Sequence, residues 1–534
     1  MPVLTTYPGV YIEEIPSGVH TIIGVATSIT AFLGRTERGP ANQATVLTSF
    51  GDYERGFGPL NPDYPVSYAV RDFFQNGGSQ AYIVRLFKDA AVDAAIRVAA
   101  AAAGSSKTAP ADVAKDAADL AATITEEPGK DAAAAVAKAA TDAAAKTGAT
   151  KQSVISAAQG AAAGTQDGSS STFSINKNLA FRAAGAGPWG DKLLVLLDQE
   201  GITDAVSQRY GLDPTKNLLF NVRVYNDQTS LLVKDLTKRA PDERIPNVSL
   251  YDGAGERRID RVLEIESNLV RFSGGTQTDV DKAGFATATT GFSQPDPEAV
   301  PGQFTGGANS EPLTPADYTG SQDQKTGLFA LDGVDLFNIL CIPPDARGGD
   351  TDPAIYSDAL DYCYTRRAVL IVDPPAAWSN RVALLSDPAG HLNGLLLGGE
   401  RARNAFLYYP RVRMPDPVRG GQFDVFPACG IIAGVFAATD TQRGVWKAPA
   451  GLDASLGGVL LEVNLNDREN GILNPLGINC LRSFPIGGQV VWGARTLRGA
   501  DQLADEYKYL PVRRTALFIE ESLYRGTQWV VFQP

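Results

Sequence analysis

DLFNILCIP at 335–343, AIYSDALDYCYTR at 354–366, RAVLIVDPP at 367–375 and RNAFLYYPRV at 403–412 decide the fold. NILCI, AVLIV and AFLYY are short apolar runs without polar alternation, which is how strands buried on both faces read. The segment at 354–366 has helical spacing and lies between two of these runs. Parallel strands need a long crossover, usually a helix, so this alternation predicts a largely parallel sheet covered on both faces. The first hundred residues repeat the pattern: HTIIGVATSITAFLGRTERGP (20–40) offers two short β-rich runs, PVSYAVRDFFQNGG (65–78) a helix ended at Gly77 and Gly78, and QAYIVRLF (80–87) a buried strand. Tyr68, Phe73 and Phe74 form the inner face of that helix.

Between these two α/β pieces the composition changes twice. From 90 to 171 the chain is alanine-rich: AADLAATI, AAAAVAKAATDAAAK and SVISAAQGAA contain helix formers, separated by breakers at Gly104, Pro128-Gly129 and Gly148. With few large apolar side chains this segment reads as a thin helical bundle or as a flexible insertion. From 172 to 313 the runs DKLLVLL, LFNVRVYN, LLVKDL, VLEIES and LVRF predict an inserted β-rich outer domain. The fold class is therefore α/β, with a core assembled from residues 19–89 and 314–534, an Ala-rich insertion at 90–171 and a β-rich one at 172–313. Residues 1–18 stand apart as an extended arm. Val10, Tyr11 and Ile12 have strand propensity, whereas Pro2, Pro8 and Pro16 resist a helix, so the segment needs another sheet to pair with.

A length of 534 residues exceeds one hydrophobic core. With 48 basic against 60 acidic side chains the net charge is -12, which repels phosphate backbones at long range and argues against nucleic acid as a partner. The first residues lack the basic and apolar regions of a secretory signal, and no stretch supplies 18 uninterrupted apolar residues, so the sequence predicts cytoplasmic assembly without membrane insertion. Cys341, Cys363, Cys429 and Cys480 have neither zinc-like nor C-x-x-C spacing and read as buried small hydrophobes. Only two histidines, His20 and His391, could contribute to a metal site or a triad.

Gly185-Ala186-Gly187-Pro188-Trp189-Gly190 matches the dinucleotide fingerprint formally. That motif works when it follows a strand and opens a helix, and here a strand follows it, so a turn is the reading. No P-loop occurs. Asp373, before Pro374 and Pro375 at a strand end, is the one position for an active site in an α/β enzyme carrying an inserted β domain, the alternative to a structural role; Asp before Pro is also ordinary turn chemistry. ATDTQRGVWKAPAG (438–451) places Arg443, Trp446 and Lys447 together, residue types suited to an interface or to a packed loop. Arg513 and Arg514, with Lys508, form a basic knot that calls for Glu520, Glu521 or a neighbouring subunit as partner. No catalytic residue, cofactor or metal is assigned.

YPGVYIEE (7–14), AFLGRTERGP (31–40), GGSQAYIVR (77–85), ATDTQRGVWKAPAG and the closing run from Gly477 to Phe532 occur in an order that resembles contractile tail sheath proteins of phage tails and related contractile injection systems. The likeness spans roughly the first 90 and the last 220 residues. It implies a non-enzymatic subunit that polymerises with itself, as a helix or as stacked rings, around an inner tube protein, and that meets baseplate and terminal cap proteins. It implies contraction that drives the tube into a target, and terminal arms that add strands to sheets in neighbours. Val10, Tyr11 and Ile12 would be the linking strand, and Arg443, Trp446, Lys447, Arg513 and Arg514 contact residues. Members of the family usually run on beyond the motif that here reads GTQWVVFQP (526–534).

Overall fold

The computed structural model describes residues 21–125, 129–163, 170–175, 179–214, 218–226, 239–275 and 302–531. Its centre is an eight-stranded sheet in the order 488–491, 478–484, 405–409, 369–372, 339–341, 30–34, 81–85, 45–47. The six inner strands are parallel, and each edge strand runs antiparallel to its neighbour. Thr30–Gly34 joins the two halves of the sequence: Phe32 lies opposite Cys341 on one side and Ile83 on the other.

The apolar runs are continuous because both faces of the sheet are covered. Phe32, Ile339, Cys341, Val369, Ile371, Phe406 and Tyr408 face one core, and Ala31, Leu33, Leu340, Leu370, Val372 and Leu407 face the other. The first core is closed by helices Pro65–Gln75 and Cys429–Arg443. These two can approach closely because Gly430 and Gly434 lack side chains: a Cβ at Gly430 would lie 2.1 Å from the Ala69 carbonyl oxygen. The second core is closed by Pro353–Thr365, whose start is fixed by Pro353 and by the Asp352 carboxylate accepting from the Ala354 amide.

The chain leaves this core after Leu86 and returns near Glu311, and the two crossings are tied together. The Lys88 amide donates to Ser310 Oγ at 2.9 Å, and the Glu311 amide donates to the Lys88 carbonyl at 2.9 Å. Beyond this neck lie four helices, Ala90–Gly104, Pro110–Ala121, Gly129–Ala144 and Lys151–Ala163, one more than the sequence indicated. They share an interior of alanine with Val98, Val113, Val136, Val154 and Ile155. Small side chains bury little area each but let helices pack closely along their whole length.

The β-rich part holds a four-stranded antiparallel sheet and a three-stranded one, around Phe181, Trp189, Val222 and Phe304. DKLLVLL, LFNVRVYN and LVRF contribute strands Leu193–Asp198, Phe220–Asn226 and Val270–Gly274. VLEIES corrects the expectation: it forms the end of helix Ile259–Glu266. LLVKDL lies outside the described residues, as do Val10, Tyr11, Ile12 and His20. Only one strand forms in the first β-rich stretch, since residues 21–29 carry none. The glycine motif is a turn as expected, running into a short 3-10 helix and then a strand. It serves as a docking point, because Arg85 donates to the Gly39 carbonyl at 2.8 Å and the Ala186 carbonyl at 2.6 Å.

Candidate subunit-contact face

The C-terminal helix, Leu510–Gly526, is turned inside out. Its buried stripe is Leu510, Arg513, Arg514, Leu517 and Glu521, while Val512, Ile519 and Leu523 on the opposite stripe stay 48, 49 and 46 % exposed. Both stripes have helical spacing. Polar groups can occupy the inner one because each finds a partner there.

Arg514 donates to both oxygens of Asp440, at 2.9 and 2.6 Å, and to the Thr27 carbonyl at 2.8 Å. Thr27 Oγ1 donates to the same carboxylate at 2.6 Å, and the guanidinium lies 4.9 Å from the Phe436 ring centre. Both charged side chains are almost wholly buried. A bidentate pair with a third bond from the guanidinium to the Thr27 carbonyl helps offset the desolvation that burial costs. Arg513 donates to Asn404 Oδ1 at 2.9 Å and pairs with Glu520 at 3.3 Å. Of the basic knot, Arg513 therefore finds the expected Glu520, Arg514 finds Asp440 instead, and Lys508 pairs with Asp501. Arg513 and Arg514 are both buried within this chain.

The same node anchors the start of the described chain. Asn338 accepts from the Ile29 amide at 2.9 Å and donates to the Ala26 carbonyl at 2.8 Å, and the Val25 amide donates to Ser522 Oγ at 3.2 Å. Ile22 packs against Gly526 and Gly24 against Phe518. Residues 22–27 thus run antiparallel to the last helix, and both ends of the described chain leave from one face.

The 438–451 segment borders this face: Val445 lines the same small cavity as Val25, Thr27, Arg514 and Phe518. Trp446 is 67 % exposed beside Gly444. Arg443 is exposed, 3.9 Å from Asp453, and Lys447 is half-buried with Nζ donating to the Ala448 and Ala450 carbonyls. Arg443 and Lys447 line an open groove of about 390 Å³ with Thr439, Gln442 and Asp453. Trp446 and Arg443 are accordingly the exposed members of the predicted set. Thr27 and the outer stripe of the last helix were missed, although Val512, Ala516, Ile519 and Leu523 stand at helical spacing in the sequence, and Asp440, which stands in the 438–451 segment, was not read as the partner of Arg514.

Asp373 occupies the strand end where an α/β enzyme would place its chemistry. Its Oδ1 instead accepts from the amides of Ala428, at 2.8 Å, and Cys429, at 3.0 Å, at the start of helix Cys429–Arg443. Burial raises its pKa, and these amides together with the Arg411 charge act against the rise. Internal ion pairs lie at these strand ends: Arg35 with Asp345 at 2.6 Å, Arg347 with Asp416 at 2.7 Å and Arg411 with Asp350 at 2.5 Å; a small cavity lined by Tyr68, Arg347, Arg411 and Phe426 lies among them. His391 stacks on Trp378 with ring centres 6.0 Å apart. Among the described residues no group of three or more His, Cys, Asp or Glu could hold a metal ion, and no helix is long and apolar enough to cross a membrane. Cys341, Cys363, Cys429 and Cys480 are free and buried, as expected.

No family model and no curated protein matches the sequence. Solved structures do. The sheath tail protein Lin1278 from Listeria innocua is similar over 96 % of this chain and 79 % of its own, with a TM-score of 0.51 and 12 % identity. The sheath tail protein DSY3957 from Desulfitobacterium hafniense is similar over 97 % of this chain and 82 % of its own, with a TM-score of 0.49 and 10 % identity. The sheath of an extracellular contractile injection system, the PVC sheath complex in its contracted state, matches over the whole chain and 77 % of its own, with a TM-score of 0.43 and 15 % identity. The Lin1278 likeness shows the fold: a mixed α/β chain with a large, mostly parallel sheet and small antiparallel sheets, as read from the apolar runs.

Proposed function

We propose that the chain is the sheath subunit of a contractile tail or injection particle, polymerising with itself around an inner tube and contracting to drive that tube through a target envelope. The observation that carries this reading is the likeness in fold to a sheath tail protein across 96 % of the chain. The order of the sequence motifs supports it independently. The exit of both described chain ends from one face, bolted to the core by Thr27, Asp440 and Arg514, suits a subunit held to its neighbours by terminal arms.

In this reading residues 19–89 and 314–534 are the sheath core, 90–171 and 172–313 are outward-facing insertions, and residues 1–18 are the arm. Val10, Tyr11 and Ile12 add a strand to a neighbour's sheet, each backbone bond contributing a net ~0.5–1.5 kcal/mol, so that a strand of several residues gives a few kcal/mol per link. A head-to-tail contact that does not close builds an open helix. Baseplate and cap proteins terminate the polymer, and an extended form trapped at assembly stores the energy for contraction. Asp373, tied to a helix end, has a structural task and the chain turns over no substrate.

Negative-stain microscopy of the purified chain tests this. Rods or striated tubes are expected; uniform small particles under every assembly condition overturn it.

A further inference from the structure

The chain ahead of strand Thr30–Gly34 is held firmly at one end and lightly at the other. From Ala26 onward the hold is firm: the Thr27 hydroxyl and carbonyl meet Asp440 and Arg514, and the Ala26 carbonyl and Ile29 amide both bond to Asn338. Before Ala26 it is weak. Of residues 21–25 only Val25 makes a hydrogen bond among the described residues, from its amide to Ser522 Oγ at 3.2 Å. Packing adds little, because Ile22 and Ile23 stay 42 and 79 % exposed even though Ile22 rests on Gly526 and Gly24 on Phe518. Beneath Val25 and Thr27 lies a cavity of about 20 Å³, room for one water, whose lining includes Asn338, Arg367, Arg514 and Glu521. Lifting residues 21–25 therefore brings water to polar groups rather than to a dry apolar core, which keeps the cost of local opening low.

We propose that residues 21–25 are a releasable strap: they lie along the last helix in the free subunit and lift off it, hinging at Ala26 and Thr27, when a neighbour draws on the chain that precedes them. Five residues at ~3.3 Å each give the far end of the strap a reach of about 17 Å from the hinge. Residues 26–29 stay clamped meanwhile, so the pull arrives at the central sheet. That the strap lifts is independent of the sheath reading; that a neighbour lifts it rests on that reading.

Hydrogen exchange of the full-length monomer, read residue by residue, tests the lifting. The Val25 amide is expected to exchange about a hundredfold faster than the Ile29 amide, at a rate that mild denaturant leaves unchanged, as local opening requires. Equal protection of the two would overturn the proposal. A lock tests what the lifting is for. A Cβ on Gly526 would lie 3.1 Å from Ile22 Cβ, so a slight shift lets an Ile22→Cys, Gly526→Cys double variant close a disulfide, and the four native cysteines are buried. Oxidised with diamide, this variant is expected to keep the circular dichroism of the wild type yet form no tubes until the bridge is reduced. Equal tube formation with the bridge closed, or a loss that reduction does not reverse, would overturn the release by a neighbour. Should the unmodified chain form no tubes under any condition, the sheath reading falls, and the exchange measurement alone decides whether the strap lifts.

Discussion

Arg514 and Asp440 hold together three segments that are distant in sequence, and their burial fixes what substitution should do. Asp440→Ala leaves a guanidinium unpaired in the interior, so urea denaturation should show a loss of about 3–5 kcal/mol. A charge-free pair, Arg514→Met with Asp440→Leu, should recover most of that loss while leaving Thr27 without its partners; a double variant as unstable as the single one would contradict the account. A second residue sets a pH response. Burial pushes the Asp72 carboxyl up to about 6, with Arg71 beside it only partly opposing the shift. A carboxyl whose folded pKa exceeds its unfolded value favours folding in its protonated form. Its contribution is fully present below about pH 4 and is lost as pH rises through about 6, a swing of about 1–3 kcal/mol. The difference in stability between wild type and Asp72→Asn should therefore change across that window in favour of the variant, and parallel stability curves would remove Asp72 as the cause. At this scale the sequence showed the basic knot and one of its partners. Asp440 was not legible, because it stands 74 residues away and meets Arg514 only through tertiary packing.

Elements were legible where burial was two-sided and misread where local alternation competed with it. The runs around 339, 369 and 405 could only be inner strands, and they are. VLEIES alternates enough to pass for a strand, yet Ile259, Val262 and Leu263 bury at helical spacing while Ile265 is 83 % exposed. Along the last helix, buried ion pairing turns Arg513, Arg514 and Glu521 inward beside Leu510 and Leu517, and Val512, Ile519 and Leu523 stay outside. The Ala-rich helices form a unit whose interior is made of its own residues, and the crossings at Lys88 and Ser310 tie the neck below it. Replacing about residues 95–165 by a short Gly/Ser bridge should therefore preserve folding and assembly, read by circular dichroism and microscopy. Unfolding after the excision would show that the bundle supports the core. Were the segment left intact, hydrogen exchange should find it opening more easily than the central sheet, since it buries few large apolar groups.

For the whole molecule, the sheet order joins strand 30–34 to strand 339–341 across some three hundred residues, so the core exists only once both ends of the chain have met. Alternation in the sequence predicted a parallel sheet but not this order, which depends on long-range pairing that no local pattern encodes. That closure also brings residues 22–27 alongside the C-terminal helix and sends both described ends out of one face. If the arm is what joins subunits, removing residues 1–18 cuts a link without touching either core. Imaging the full chain and this deletion side by side, after both are shown to be folded, tests the central claim most directly. The account predicts rods or striated tubes from the full chain and folded monomers from the deletion. Discrete small particles from the full chain under every assembly condition would contradict the sheath reading, and tubes from both would contradict the arm as the link.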